Sequence, residues 1–235
     1  ESFEADNVLL DEIRVGLYFS DNNSYNPSSN ISYFSISAVK GLEVGYSLNG
    51  QFMKIVETED NSPLIVRKDA YYIIDNNLIK EYKADELNSA NGSKYGPYHI
   101  QIGTSFDSYE KAMEKLDACK QRGIIGYIAF TDSWYVWSGF YVDHNSAEAD
   151  LANNIKSKLG DDEYKIIQPS GDNVVIADGK SHNVLFVYGR EGEFLQLRPK
   201  ANNEPYIFNI NGKSYRGIVE VRRYSSSDMT VINIL

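Results

Sequence analysis

Apolar and polar residues alternate along the first third of the chain. Ile13, Val15, Leu17 and Phe19 are separated by Arg14, Gly16 and Tyr18, the period of two that turns one side of a strand toward a core. A polar run over residues 21–30 follows, and shorter apolar stretches at 31–37, 42–47, 52–57, 64–68 and 71–74 predict further strands. Lys40-Gly41, Asn49-Gly50, Asn61-Ser62-Pro63 and Asp75-Asn76-Asn77 separate them. These residue types make turns because they tolerate positive φ or preset it.

The period changes after Asn91-Gly92-Ser93-Lys94-Tyr95-Gly96, a breaker cluster that reads as a linker. Residues 98–103 predict a strand. A helix starting at Asp107 carries Ala112, Met113, Leu116 and Cys119 at spacings of three and four and ends at Gly123. Strands at 124–130 and 134–141 come next, then a helix from about Asn145 with Leu151, Ala152, Ile155 and Leu159, and a strand at 164–167. The order is βαββαβ, and its halves repeat: Gly103 falls on Gly139, 36 residues on, and Asp107 on Asp143. After Pro169 strand patterns return to the end of the sequence. The pattern predicts an α+β protein: a mainly antiparallel β framework over 1–95 and 169–235, interrupted at 96–168 by a βαββαβ module of ferredoxin-like type.

Charge narrows the partners. Asp and Glu outnumber Lys and Arg, giving a net charge of −10, and such a field repels phosphate backbones, so nucleic acid is not expected. No apolar run approaches the roughly 20 residues of a membrane span. The single cysteine, Cys119, falls on the apolar stripe of the first helix and reads as core filling. His99, His144 and His182 are far apart, with no HExxH pair, so neither a metal nor another cofactor is expected. Nucleotide-binding glycine loops and a GxSxG elbow are missing too.

Two helices cover only one face of a four-stranded antiparallel sheet, which leaves the other face to solvent or to a ligand. With Ile100 and Ile102 turned toward the helices, His99, Gln101 and Gly103 point outward, and through the repeat so do Tyr135, Trp137, Gly139 and Tyr141. Flat aromatic rings, a glycine floor and amide hydrogen-bonding groups suit a sugar chain, whose apolar C–H faces are edged by hydroxyls. By the same parity Trp134 packs inward and Trp137 is exposed. The competing reading gives both tryptophans to packing.

The run Tyr98-His99-Ile100-Gln101-Ile102-Gly103-Thr104-Ser105-Phe106, followed by a helix, Trp134-Tyr135-Val136-Trp137-Ser138-Gly139-Phe140-Tyr141 and a second helix, resembles the sporulation-related repeat (SPOR) domain. That resemblance covers roughly 96–168 and implies binding of peptidoglycan glycan strands, preferably stripped of stem peptides. Carried over by position, it implicates Gln101, with Ser105 and Phe106 following it; Tyr135 and Trp137 fall at positions that vary in the family. With the outward residues read from alternation, the expected glycan-binding set is His99, Gln101, Gly103, Ser105, Phe106, Tyr135, Trp137 and Tyr141. The flanks, Ile13-Arg14-Val15-Gly16-Leu17 and the stretch from Ile210-Asn211-Gly212 through Glu220 to Ile234-Leu235, resemble the N-terminal part of stage II sporulation protein D and the amidase enhancers. This second resemblance implies an exported protein of the cell wall, with the space between forespore and mother-cell membranes as one location. It also implies wall amidases or other sporulation proteins as further partners.

Members of the second family cleave glycan as lytic transglycosylases or stimulate amidases. Their catalytic glutamate lies in a segment that would begin where the given sequence ends, so no catalytic residue is expected within these residues. Glu220 lies between Val219 and Val221 and faces away from them, as a solvated strand charge ordinarily does. The expectation is a non-catalytic glycan-binding protein. Part of a transglycosylase or amidase enhancer, and a protein–protein interaction module, stand as alternatives.

Overall fold

The computed structural model describes residues 12–19, 31–75, 78–87, 91–200, 206–223 and 228–235; the polar run at 21–30 and the turn residues Asn76 and Asn77 lie outside them. Seven strands come first: β1 (Arg14–Tyr18), β2 (Tyr33–Ser37), β3 (Leu42–Leu48), β4 (Gln51–Glu57), β5 (Leu64–Lys68), β6 (Tyr72–Asp75) and β7 (Leu78–Glu81). Then follow β8 (Ser93–Tyr95), β9 (Tyr98–Ile102), α1 (Tyr109–Gln121), β10 (Gly126–Phe130) and β11 (Trp134–Tyr141). α2 (His144–Asp150) continues through a π-helical turn (Leu151–Ile155) into α3 (Lys156–Leu159) and leads to β12 (Tyr164–Ile167). The remainder is β13 (Val174–Asp178), β14 (Val184–Tyr188), β15 (Leu195–Pro199), β16 (Ile207–Ile210), β17 (Lys213–Arg216), β18 (Ile218–Arg223) and β19 (Met229–Ile234).

These strands form three sheets. The first runs β1-β19-β18-β15-β3-β4, the second β12-β9-β11-β10-β14-β13-β5-β2-β16-β17, and the third β7-β6-β8. All neighbours pair antiparallel except β10 and β14, which run parallel with Ile128 opposite Phe186 and Phe130 opposite Tyr188. Phe34, Ile36, Phe208 and Ile210 of the second sheet share a core with Leu42, Val44, Leu195, Leu197, Val219 and Val221 of the first. The same core takes in Ala112, Leu116 and Cys119 of α1 and Ala147 of α2. One face of the ten-stranded sheet is thus covered by the six-stranded sheet and by the helices. Its other face carries a smaller cluster of Tyr127, Ala129, Trp137, Val175 and Val187, and a third cluster ties Ile65 and Ala177 to Tyr72 and Ile79 of the small sheet.

This layering explains why β5 is buried at every position and β13 at all but its last. A strand covered on both faces loses the alternation of one covered on a single face, and β5 accordingly buries even Arg67 and Lys68. In β13, Val174 and Ile176 enter the main core while Val175 faces the opposite layer. Burying each such side chain contributes about 1.5–3 kcal/mol.

The fold class differs from the sequence expectation. Of the described residues 49% are in strands and 15% are helical, so the protein is mostly β with large mixed sheets, rather than an α+β framework with an inserted ferredoxin-like module. The physical reason lies at β10. A self-contained four-stranded module would leave the outer edge of β10 open, and an open edge presents unpaired N–H and C=O groups. Here β14 pairs with that edge, and one continuous sheet results. The breaker cluster at 91–96 also contains a strand, β8, which pairs with β6 through Tyr72–Tyr95 and Ile74–Ser93.

The helices form where their local signals placed them. Ser108 caps α1 by accepting from the Lys111 amide at 3.3 Å, Glu110 lies in the first turn and Lys120 in the last, an arrangement that matches the helix dipole. Asp143 caps α2 by accepting from the Ser146 amide at 2.7 Å.

Candidate functional site

The helix-free side of β9 and β11 was the expected docking face. Register places Gln101 beside Trp137 and Ser138 beside Ile100, so His99, Gln101, Tyr135 and Trp137 share that side as alternation requires. They do not share its exposure. His99 is 0% and Trp137 3% exposed, which overturns the expectation of an outward Trp137. Trp137 stacks on the His99 ring at 4.9 Å between centroids, and Phe140 meets that ring edge-on, also at 4.9 Å. Tyr95 of β8 packs on Phe140. The chain from Asp69 through the small sheet therefore closes over this part of the face. Trp134 sits on the helix side, stacked on Phe130 and meeting Tyr109 edge-on.

The outward assignment of Tyr141 fails for a local reason. Pairing of β11 with β9 shifts between Ser138 and Tyr141, and Gly139 adopts φ +74° inside that irregularity. An extra residue in one strand reverses the parity of everything after it. Phe140 consequently faces His99, and Tyr141 turns to the helices, where its hydroxyl donates to Asp150 Oδ2 at 2.6 Å. Gly139 is required twice over, by its positive φ and because a Cβ there would run into the Tyr141 ring.

What covers the face is a buried polar cluster. His99 Nε2 lies 2.8 Å from Asp69 Oδ2, and Nδ1 lies 2.7 Å from the Tyr127 hydroxyl and 2.9 Å from the Gly139 carbonyl. Asn173 Nδ2 donates to the same Asp69 oxygen at 3.3 Å. Arg223 donates to the backbone carbonyls of Asp69 and Asn173 at 3.1 and 2.7 Å. The buried Arg67 guanidinium lies over the rings of Phe140 and Tyr72 at 4.8 and 5.1 Å. Burial by itself would raise the Asp69 carboxyl. The His99 charge and hydrogen bond, with Arg67 and Asn173, outweigh it and hold the group below its ordinary value. Burial pushes the Tyr127 phenol well up, helped by the Asp69 charge. Tyr127 is therefore a neutral hydrogen-bonding group rather than a base. A buried polar cluster of this kind positions the strands that carry it, although one of its atoms, Asp69 Oδ1, has no hydrogen-bond partner.

The remaining sequence-predicted residues occupy one rim of the sheet. Gln101 and Tyr135 are half-buried on the helix-free side, and Gly103, Ser105 and Phe106 follow around the end of β9. The Gln101 amide donates to the Gly103 carbonyl at 3.0 Å, which leaves its oxygen and second N–H available. The Tyr135 hydroxyl donates to Asp132, with oxygens at 3.1 and 3.2 Å. Burial first and this carboxylate second push the phenol up. Phe106 is bridged through its backbone to Trp134, and with Ser105, Ser133 and Lys111 it borders a shallow hollow of about 300 Å³. The structure thus brings Gln101, Gly103, Ser105, Phe106 and Tyr135 to one rim. It withdraws His99 and Trp137 into the core and moves Tyr141 to the other side. Comparison with family models, curated proteins and solved structures returns no match.

Two features escaped the sequence reading. One is a cleft of about 1330 Å³ where β10 and β14 part before their first paired residues, Ile128 and Phe186; Gly126, Tyr127, Val184 and Leu185 border it. The other is the setting of Glu220. It faces away from the core as expected, yet it is only 3% exposed, held by Arg14 at 3.0 Å, by Arg222 and by Gln196 at 3.4 Å. A carboxylate with three donors anchors a network and is not a free acid. The Arg67-Lys68-Asp69 run, three ionic residues after the apolar Leu64-Ile65-Val66, was the available signal for the buried cluster. Among the described residues no group of three His, Cys, Asp or Glu could hold a metal, and no helix is long and apolar enough to cross a membrane.

Proposed function

We propose that the protein binds peptidoglycan glycan strands without acting on them, as an exported component of the cell wall, and that the rim formed by Gln101, Gly103, Ser105, Phe106 and Tyr135 is the contact surface. The observation that carries this reading is that Gln101 and Tyr135, the latter two positions from Gln101's register partner Trp137, lie on the same side of the sheet: an amide with free hydrogen-bonding capacity and a phenol ring fixed by Asp132, both partly open to solvent. An aromatic ring held still loses little entropy when a sugar ring settles on it, and an adjacent amide reads hydroxyl or acetamido groups. The rim carries no buried charge that a neutral glycan would have to desolvate. The sequence resemblance to glycan-binding repeats over 96–168 supports the same polymer, and wall amidases or other sporulation proteins are the further partners suggested by the resemblance of the flanks to the amidase enhancers.

Co-sedimentation with purified peptidoglycan, before and after amidase removal of stem peptides, tests the reading. Pelleting that increases on stripping and falls at least about tenfold in a Gln101→Ala/Tyr135→Ala variant is the expected result, since two partly exposed contacts of about 1 kcal/mol each multiply in affinity. A folded protein that stays in the supernatant with both preparations overturns the proposal.

A further inference from the structure

The cleft between β10 and β14 has features that packing does not explain. We infer that it is a second ligand site, separate from the rim, and that it takes a neutral oligosaccharide bearing amide groups, with His182 as its hydrogen-bonding contact.

The inference begins at His182. Its Nδ1 is buried with no hydrogen-bond partner, and the residue borders the cleft. Buried polar atoms are almost always satisfied, so an orphan on a residue of the cleft wall marks a group that a ligand atom could satisfy once the ring turns toward the cleft. Among the described residues His182 is also one of four non-glycine residues with positive φ, at 61°, and its turn is tightly held. Its amide donates to the Asp178 carbonyl at 2.9 Å, while Asp178 Oδ1 accepts from the Lys180 and Ser181 amides and the Ser181 hydroxyl. A strained conformation fixed by its surroundings is characteristic of residues that meet ligands.

The lining sets the ligand class. Tyr95, Tyr109, Phe140 and Tyr141 contribute rings, and Asn154 and Asn183 contribute amides. The charged groups present are two lysines, Lys120 and Lys158, and two carboxylates, Glu57 and Asp150, and each already has a partner. Lys158 donates to the Gly123 carbonyl at 3.1 Å and Lys120 to Asp117 at 3.4 Å. Asp150 accepts from Tyr141 and Asn154, and Glu57 from Lys54 at 2.7 Å. The lining charges sum to zero, two cations against two carboxylates, so a charged ligand meets no net field to offset its lost hydration. Rings and amides without net charge favour a neutral molecule with apolar faces and hydrogen-bonding edges. The volume exceeds that of an ordinary small-ligand pocket of about 300–1,000 Å³, so several linked rings fit.

The test uses a short soluble N-acetylglucosamine oligosaccharide, followed by NMR on the imidazole resonances and by calorimetry. Saturable binding that moves the His182 resonances is expected. His182→Gly removes the ring while easily keeping the positive φ, and it should weaken binding about tenfold, the loss of one hydrogen bond in a desolvated site. The Gln101→Ala/Tyr135→Ala variant should keep the sugar-induced shift of the His182 resonances, whatever it loses in total binding at the rim. No His182 shift at millimolar sugar, undiminished binding in His182→Gly, or loss of the His182 shift in the rim variant each overturns the inference. The His182 shift reads the cleft and wall pelleting of the rim variant reads the rim, so either proposal can fail while the other stands.

Discussion

Truncation of Trp137 separates the two readings of this side chain by a wide margin. On an exposed sheet face, Trp137→Ala would change stability by no more than about 0.5 kcal/mol. In the structure the indole is 3% exposed, stacks on His99 and packs with Tyr127, Val175 and Val187. Removing a buried tryptophan costs about 3–5 kcal/mol through lost transfer energy and the cavity left behind. For a chain of this length each kcal/mol lowers the melting midpoint by about 2–4 °C, so the midpoint should fall by about 6–20 °C. Trp137→Phe refines the test, because Nε1 of Trp137 is buried without a partner. Losing an unsatisfied donor recovers part of the cavity cost, about 1–3 kcal/mol, and the phenylalanine variant should lie much nearer the parent. Urea unfolding with the slope held common gives both differences. A Trp137→Ala loss below about 1 kcal/mol would refute the buried stacking arrangement.

Acid should act through Asp69. Its carboxyl is held below the ordinary value in the fold, so its contribution is complete above about pH 4 and disappears as pH falls through the depressed value. Urea midpoints measured downward from pH 5 should therefore decline more steeply for the parent than for Asp69→Asn. Alkali acts oppositely on Tyr127, whose raised phenol makes the folded state lose stability as pH climbs above about 10; Tyr127→Phe should flatten that limb in the same titration. Gly139→Ala, forced to φ +74° and against the Tyr141 ring, should cost at least about 1–2 kcal/mol by chemical denaturation, and a neutral outcome would remove the argument for the bulge. Cys119 is buried with its thiol pushed up by burial, so an aromatic disulfide reagent should label it only at the rate of unfolding.

Periodicity made the strands and helices readable, since it reports which side of an element is covered. Ala112, Leu116 and Cys119 at spacings of four and three point into the core as their pattern implies. The sequence pattern did not report what does the covering. Trp137 and His99 have the parity of an open face, and only the fold of the segment after Asp69, with β8 paired to β6, shows that something lies over them. The same limit hid the parallel joint of β10 and β14, because pairing between strands more than fifty residues apart leaves no local trace. Tyr141 failed differently: a single glycine bulge shifted its parity, and Gly139 alone does not distinguish a bulge from a flat floor. Of the predicted surface, Gln101 and Tyr135 were legible because no irregularity intervenes in β9 or at the start of β11.

The pairing of β1 with β19 joins Arg14 to Ile234, and β3 with β15 joins Leu42 to Pro199. The ten-stranded sheet likewise joins Ile36 of β2 to Ile210 of β16, so both large sheets are completed by strands far along the chain from their first ones, and the loops that must close first span much of the sequence. Contacts so remote along the sequence make folding slow, because the entropy of closure is spent before any pairing rewards it. During synthesis the early strands wait with open edges, which is when they are most exposed to pairing with another copy. Refolding yield should accordingly fall with protein concentration, and a chaperone that shields strand edges should rescue it.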